Sequence, residues 1–459
     1  PPRLKNNDNS HGHMIEFLLL LTGMAGLWFG SEVLMRGAMA LSDRFKASDA
    51  AISSIAEQLN VRYILDGTVR RHGDAVRVTA QLVNVETDTS LWSEAYDRGL
   101  EDIFTVQDEI AASVVRELKV KLLDTPPTTT RTRPEVYALF LQARHLNRIP
   151  SPENIEEAGR LLAQAVALDP SYAPAYEQLA MNYFNKVRRG LLTPEEGYPL
   201  ARKMAEQALE IDPGVAMAHA RLGVLALIDG SPDFALSVSH FKRAIEVEPT
   251  NLRILGNSTF LLSYLHRTEE FVAVTEYIIS RDPMDHVAHY NLSGALFELQ
   301  RFGDVIEHLE VVQRLSPGIP QANYYLGMAR LFTGDAVAAR KVIAEESQEL
   351  YRHLGLATVD CALGWDDQAQ VSLAALEEHA ASAPQQVAAA FAACGDVDRA
   401  FALLQDDIER GGSVTYRFAE DRRYENLRDD PRWPALLEAY EENHPDHPDI
   451  AFSPSQYFR

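Results

Sequence analysis

The sequence predicts a mainly α-helical chain: a superhelical solenoid of antiparallel helix pairs, preceded by a small α+β module and an apolar N-terminal, membrane-spanning helix. Three observations carry this. The steps Asp169-Pro170, Asp212-Pro213, Glu248-Pro249, Asp282-Pro283 and Ser316-Pro317 each close an amphipathic stretch, at spacings of 43, 36, 34 and 34 residues. A period settling on 34 is that of stacked helix pairs. Ahead of them the apolar period drops from helical to two, the mark of half-buried strands. Ahead of those, residues 17–34 read FLLLLTGMAGLWFGSEVL with Glu32 as the single charge.

Composition sets the frame. The chain has 459 residues, 46% apolar and 24% charged, a globular mixture too long for one core. The formal net charge of −23 works against nucleic-acid binding, which runs on counterion release by Lys and Arg, and against docking on anionic lipid. Cys361 and Cys394 are the two cysteines. They could form one bridge on neighbouring helical segments, but packing as small apolar residues is the favoured reading.

The elements follow in order. Residues 1–13 are a polar tail. Residues 14–41 form the apolar helix, whose eighteen-residue run from Phe17 to Leu34 reaches the length of a membrane span. Phe17, Leu20, Leu27, Trp28 and Phe29 are its membrane-facing candidates, with Trp28 and Phe29 suited to an interfacial belt. A buried packing helix is the competing reading. The run GLWFGSEVLMRGAMALSDRF resembles the first helix of sodium/calcium exchanger-type antiporters. That likeness covers about thirty residues, and none of that family's acidic ion-coordinating helices follow; it implies a membrane helix and not a transporter.

Residues 42–124 form the α+β module. Ile52, Ile55, Ala56 and Leu59 have helical spacing. In DAVRVTAQLVN, Val76, Val78, Ala80 and Leu82 alternate with Arg77, Thr79 and Gln81, giving one dry and one wet face. Arg71-His72-Gly73-Asp74 is a turn. Ile103, Phe104, Ile110, Val114 and Leu118 then restore the helical period. The stretch from Val61 to Ile110, VRYILDGTVRRHGDAVRVTAQLVNVETDTSLWSEAYDRGLEDIFTVQDEI, resembles the TolB-like amino-terminal module of bacterial regulators, which commonly sits between a membrane helix or effector domain and a repeat array. The opening strand and helix of that module are missing before Phe45-Lys46. The resemblance therefore implies a truncated module with an open sheet edge that something must cover.

Residues 125–134 are a Pro- and Thr-rich linker. Residues 135–317 carry the regular repeats, 318–412 degenerate ones, and 413–459 a closing cap and tail. Gly223, Ser293 and Gly327 on first helices, and Ala158, Ala201, Ala235 and Ala339 on second helices, allow close backbone approach; the early excess length maps to a loop over Lys186–Gly197. Gly334, Gly364 and Gly395 each divide a helix pair in the degenerate stretch. With these residues in place the array resembles the tetratricopeptide-repeat family. The family implies a concave inner surface, lined by first helices, that takes peptides or helices.

No catalytic spacing is present: no phosphate-binding glycine loop, nucleophile elbow or metal-binding His pair on a helix. His11, His13, His444 and His447 lie in polar tails; Glu195-Glu196, Glu345-Glu346 and Asp429-Asp430 read as surface charge; Arg70-Arg71 lie on a wet strand. The expectation is a non-enzymatic chain without cofactor or metal. Its partner would be a protein or peptide, such as an integral membrane complex, with no nucleic acid or small substrate. The repeat register places Tyr290, Gly294 and Phe297, then Tyr324, Met328 and Phe332, on the inner surface, with Phe260, Tyr264, Met181 and Phe184 from earlier repeats. Packing between repeats is the competing reading for each. The surface lacks the regular Lys and Asn pattern that clamps a C-terminal carboxylate. The resemblances imply a place at a bacterial inner membrane, repeats on the periplasmic or the cytoplasmic side, and leave open the reading of a sensory fragment parted from its effector.

Overall fold

The computed structural model describes residues 63–72, 75–84, 89–99, 102–118, 131–148, 151–229, 231–412, 418–442 and 450–457. The apolar run at 17–34, the helix at 49–60, the Gly73-Asp74 turn tip, most of the linker and the tail histidines lie outside the described residues. Among the described residues no helix is long and apolar enough to cross a membrane. The chain divides into two compact units, one made mainly of residues up to Leu261, the other of Leu262–Ile279 and Met284–Ser455.

The first unit opens with an antiparallel sheet ordered β1 (Tyr63–His72), β2 (Ala75–Asn84), β3 (Thr89–Gly99). The alternation holds: Val76, Val78, Ala80 and Leu82 are buried, while Arg77 stands in solvent. Val78 faces Val69 on one side and Tyr96 on the other. Helix α1 (Ile103–Leu118) lays Val106, Ile110 and Val114, four residues apart, on that dry face. On the wet face Arg77 grips Asp97 through two hydrogen bonds of 2.6 and 2.9 Å. Both side chains are 61% exposed, so the pair contributes register more than stability.

Helix pairs follow: α2 (Pro134–Arg148) with α3 (Pro152–Leu168), α4 (Ala173–Arg188) with α5 (Pro194–Ile211), α6 (Ala216–Ile228) with α7 (Phe234–Val247), then α8 (Leu252–Tyr264). Side-chain caps start the second helices. Ser151 accepts from the Asn154 amide, Thr193 and Glu196 form a reciprocal capping box, and Asp233 accepts from the Leu236 amide. Proline ends them. Asp169, Asp212 and Glu248 are extended, at φ −140°, −141° and −132°, because the following ring disfavours helical geometry. The early excess is not the expected loop. It lengthens helix instead, since α4 runs on to Arg188 and α5 resumes at Pro194.

Close packing within the pairs is as expected for Ala158, Ala201 and Ala339, all fully buried. Ala235 is exposed. Its place is taken by Ser237, which is buried and donates to the Gly223 carbonyl at 2.9 Å. Beside it the Phe241 ring lies 3.0 Å from where a Gly223 side chain would begin. A buried amide network ties the first repeats together. Asn147 donates to the Gln178 carbonyl (3.0 Å), and Asn182 donates to both the Asn147 side chain (3.0 Å) and the Ile155 carbonyl (2.7 Å).

The second unit begins at Leu262, in the last turn of α8, takes in most of α9 (Thr268–Arg281) and continues with α10 (His286–Glu298) on α11 (Phe302–Leu315), α12 (Ala322–Phe332) on α13 (Ala336–Ile343), α14 (Glu349–Leu363) on α15 (Asp366–Leu376), and α16 (Pro384–Ala393) on α17 (Val397–Glu409). The weakened repeats are complete helix pairs. Gly334, Gly364 and Gly395 turn each pair at φ +96°, +72° and +81°, where a side chain would be strained. In both units the helices form an array of antiparallel pairs. Cys361 and Cys394, expected mainly as packing residues, are joined in a disulfide between α14 and the end of α16.

The C-terminus closes the unit. A 3-10 segment (Phe418–Glu420), a second (Arg422–Leu427) and α18 (Trp433–Glu442) gather Phe418, Tyr424, Trp433 and Tyr440 into one buried ring cluster. The Tyr440 hydroxyl donates to Asp407 on α17 at 3.0 Å, so the last apolar face is covered, as a repeat end requires.

Candidate partner-binding faces

In the second unit the first helices present a stripe of residues four or eight apart. Tyr324 and Phe332 come from α12, Leu354 and Thr358 from α14, Gln386 and Ala390 from α16. These residues line a cavity of about 250 Å³ whose remaining wall is the C-terminal segment, through Arg422, Arg423 and Asn426. That segment is held on the stripe by polar contacts. Arg422 donates to the Phe332 carbonyl (3.0 Å), Asn426 to Ala392 (2.9 Å), Tyr424 to Gln385 (2.8 Å), and Gln300 to Glu420 (2.8 Å).

The arginines are set by aromatic rings and by one carboxylate. Arg422 sits 5.1 Å over Phe332 and Arg423 6.0 Å over Phe297. Arg423 is 24% exposed and takes Asp421 in a fork with contacts of 2.6 and 3.0 Å. Burial alone would lower the Arg423 pKa, but the adjoining Asp421 carboxylate holds it well above the ordinary value. A neutralised guanidinium thus forms part of the cavity rim, and the floor is apolar. This combination suits an extended peptide that inserts an apolar side chain and offers its own carbonyls to the rim.

The predicted inner residues fall into two groups. Phe297, Tyr324 and Met328 are buried, and so is Phe184 in the first unit. Phe297 packs edge-on to Phe302 and Tyr325 at 5.4 and 5.3 Å, and Tyr324 meets Tyr351 at 5.3 Å. Their chief role in the described structure is packing, with Tyr324 also reaching the cavity. Tyr290, Phe332, Tyr264, Phe260 and Met181 are half-buried. The Tyr290 hydroxyl donates to the Pro320 carbonyl at 3.2 Å. Among these residues the structure brings Tyr324 and Phe332 to one cavity.

A second face, in the first unit, joins the expected Met181 and Phe184 to arginines that apolar spacing does not single out. Met181 and Phe184 on α4 are covered by Arg221 of α6, whose guanidinium contacts the Met181 sulfur at 2.8 Å and lies 5.1 Å over the Phe184 ring. Arg221 is only 4% exposed, and burial pulls its pKa down to about 10. Arg144 on α2, 5.4 Å over Phe140, is likewise lowered by burial. The charge of Arg253 on α8 adds to the lowering of both. Hydrophobic periodicity is blind to such residues. Carrying the repeat register through every first helix, polar positions included, would have found them.

Among the described residues no group of three or more His, Cys, Asp or Glu is placed to hold a metal ion. No protein-family model matches the chain. A putative adenylate cyclase 3 of Rhizobium meliloti (strain 1021) is 33% identical over 189 residues, covering 40% of this chain and 25% of that protein. The chain thus spans about a quarter of the length of this curated relative. Among solved structures, Pseudomonas aeruginosa PilF is similar at 22% identity over 46% of this chain and 92% of its own, with a TM-score of 0.38. PilW, described as a type IV pilus biogenesis factor, is similar at 21% identity over 45% and 92%, with a TM-score of 0.38.

Proposed function

We propose that this chain is a non-enzymatic interaction scaffold that holds an extended segment of a partner protein against the inner face of its C-terminal repeats. The cavity between α12, α14, α16 and residues 422–426 supports the reading best, because it joins an apolar floor to a polar rim on a repeat surface. In this reading the apolar residues 17–34 tether the chain to a membrane, and the three-stranded module, TolB-like by its wording, lies next to it. The partner is then a component of a membrane complex. Ala362 is exposed at the cavity wall, so Ala362→Trp should block the cavity without overpacking the core. Partner recovery from detergent-solubilised membranes should be lost while the melting temperature stays unchanged. Full recovery with the tryptophan in place would defeat the assignment.

A second reading has its own support. A match of 189 residues cannot fit within the 124 residues that precede the linker, so the likeness to the putative cyclase extends beyond the module. The chain would then be the regulatory part of a signalling system whose effector lies elsewhere. Cyclic-AMP levels in cells with and without the chain discriminate: a difference supports regulation, and equal levels leave the scaffold reading alone.

A further inference from the structure

Residues 450–455, in the tail of the chain, are held on the second unit by two side chains that address main chain and hydroxyls together. Arg267, in the turn between α8 and α9, donates to the Phe452 carbonyl at 2.6 Å and also to the Ile450 carbonyl. Glu270, in the first turn of α9, accepts from the Ser453 hydroxyl and, at 3.5 Å, from that of Ser455; the two hydroxyls stand 2.8 Å apart. Phe452, between these polar holds, is 2% exposed, and Pro454 is buried too. The Arg267 and Glu270 side chains keep 30% and 21% of their surface in solvent. The hold therefore lies at the surface, within reach of a competitor.

The next helix pair shows the alternative. The turn before α11 is built in the same way: Gln300 is left-handed at φ +58°, as His266 is at +53°. The amides of Arg301 and Arg267 each donate to a carbonyl five residues back, Leu296 and Leu262, at 2.9 Å. Arg301 then closes on Asp304, three residues on, with contacts of 2.6 and 2.7 Å. Arg267 and Glu270 have the same separation in sequence but stand 3.7 Å apart, beyond hydrogen-bond reach, and each turns to the tail instead. If the tail leaves, the two can close on each other as Arg301 and Asp304 do, so neither charge is stranded. Displacement is cheap for that reason. Arg267 reads carbonyls, which every peptide carries. Selection falls on the aromatic ring and the two hydroxyls, with Pro454 fixing the backbone between them.

We propose that Arg267, Glu270 and the seat of Phe452 form a binding site for a short linear segment of a partner protein. That segment carries an aromatic residue followed by two hydroxyl residues, spaced as Phe452, Ser453 and Ser455 are, and the chain's own tail occupies the site until it is displaced. The site is separate from the cavity between α12, α14 and α16, which none of these residues lines. A tethered segment acts at an effective concentration of about millimolar. The tail thus rejects weak competitors and yields to a segment that adds contacts of its own.

The test uses the full chain and a fluorescein-labelled peptide, DIAFSPS, the sequence of residues 449–455. Ser453→Glu in the chain sets a carboxylate against Glu270 and vacates the seat without removing a buried ring; Phe452→Ala vacates it by a second route. By anisotropy the peptide should bind both opened chains about tenfold more tightly than the wild-type chain, whose own tail competes. Helical circular dichroism and cooperative melting should be retained. Adding Arg267→Gln to the Ser453→Glu chain, or replacing the peptide's phenylalanine by alanine, should abolish the gain. Equal affinity for the wild-type and both opened chains overturns the proposal, as does a gain that survives Arg267→Gln. Loss of cooperative unfolding in Phe452→Ala also overturns it, because the ring would then be core and not ligand. Dimers of the wild-type chain in sedimentation velocity that Arg267→Gln abolishes would give the seat to a second copy and overturn the assignment to a partner.

Discussion

Cys361 and Cys394 are joined by a disulfide across neighbouring first helices, with Cα atoms 5.2 Å apart, and the residues next to them, Ala362 and Ala393, both line the C-terminal cavity. The bridge therefore sets the spacing of two cavity walls. No free cysteine competes with it. Closing a loop over a separation of 33 residues should stabilise the second unit by about 3–4 kcal/mol on the chain-entropy account. Reduction by a dithiol should lower its melting transition and weaken partner binding together. Thiol titration of the unreduced, denatured chain should find no free thiol; two would contradict the bridge.

The close approach in the third-from-last pair gives a sharp steric prediction. A Cβ on Gly327 would stand 2.3 and 2.5 Å from Ile343 side-chain atoms and 3.0 Å from the Ala339 carbonyl. Gly327→Ala should cost about 1–3 kcal/mol by denaturant unfolding, and trimming Ile343 to Ala in the same chain should recover part of the clash while adding its own cavity cost. Full additivity of the two losses would mean that the contact is absent.

The amide network supplies a second stability test. Replacing Asn147 by Leu removes the side-chain amide that meets Gln178 and Asn182 and leaves buried partners unmet. A loss of about 2–3 kcal/mol is expected, read as a lower midpoint with an unchanged m-value. Little or no loss would show that the network is dispensable.

Two histidine pairs predict acid sensitivity. His219 and His240 meet through their Nδ1 atoms at 3.1 Å, as His289 and His308 do at 2.9 Å. Burial, then the neighbouring His219 and Arg202 charges, pull His240 down to about 4; burial lowers His219 and His308. A base whose pKa is depressed on folding binds more protons when unfolded. Stability should thus be complete above about pH 6.5 and fall as pH drops toward about 4, by about 1–2 kcal/mol after allowance for partial exposure. His240→Gln should flatten part of that slope, and an identical slope would remove the pair from the account.

Much of this was legible in the chain. Val76 to Leu82 alternate because one face of β2 is dry, and Asp169, Asp212 and Glu248 end helices because proline follows. Gly334, Gly364 and Gly395 marked the turns of repeats too degenerate to show a period. The failures are equally specific. Ala235 was placed in contact by its spelling, but α7 starts at Phe234 and turns Ser237 inward instead. The disulfide depends on two first helices lying side by side, which no local pattern encodes. The arginines of the first unit escaped notice because a buried polar residue leaves no mark in apolar periodicity.

The central claim is that a partner lies on the inner face of the C-terminal repeats. Site-specific photo-crosslinking tests it most directly, with a benzophenone amino acid placed at Thr358 in the cavity or at Val371, which is 68% exposed on α15. The account predicts a crosslinked partner from position 358 and none from 371; crosslinking from 371 alone would contradict it.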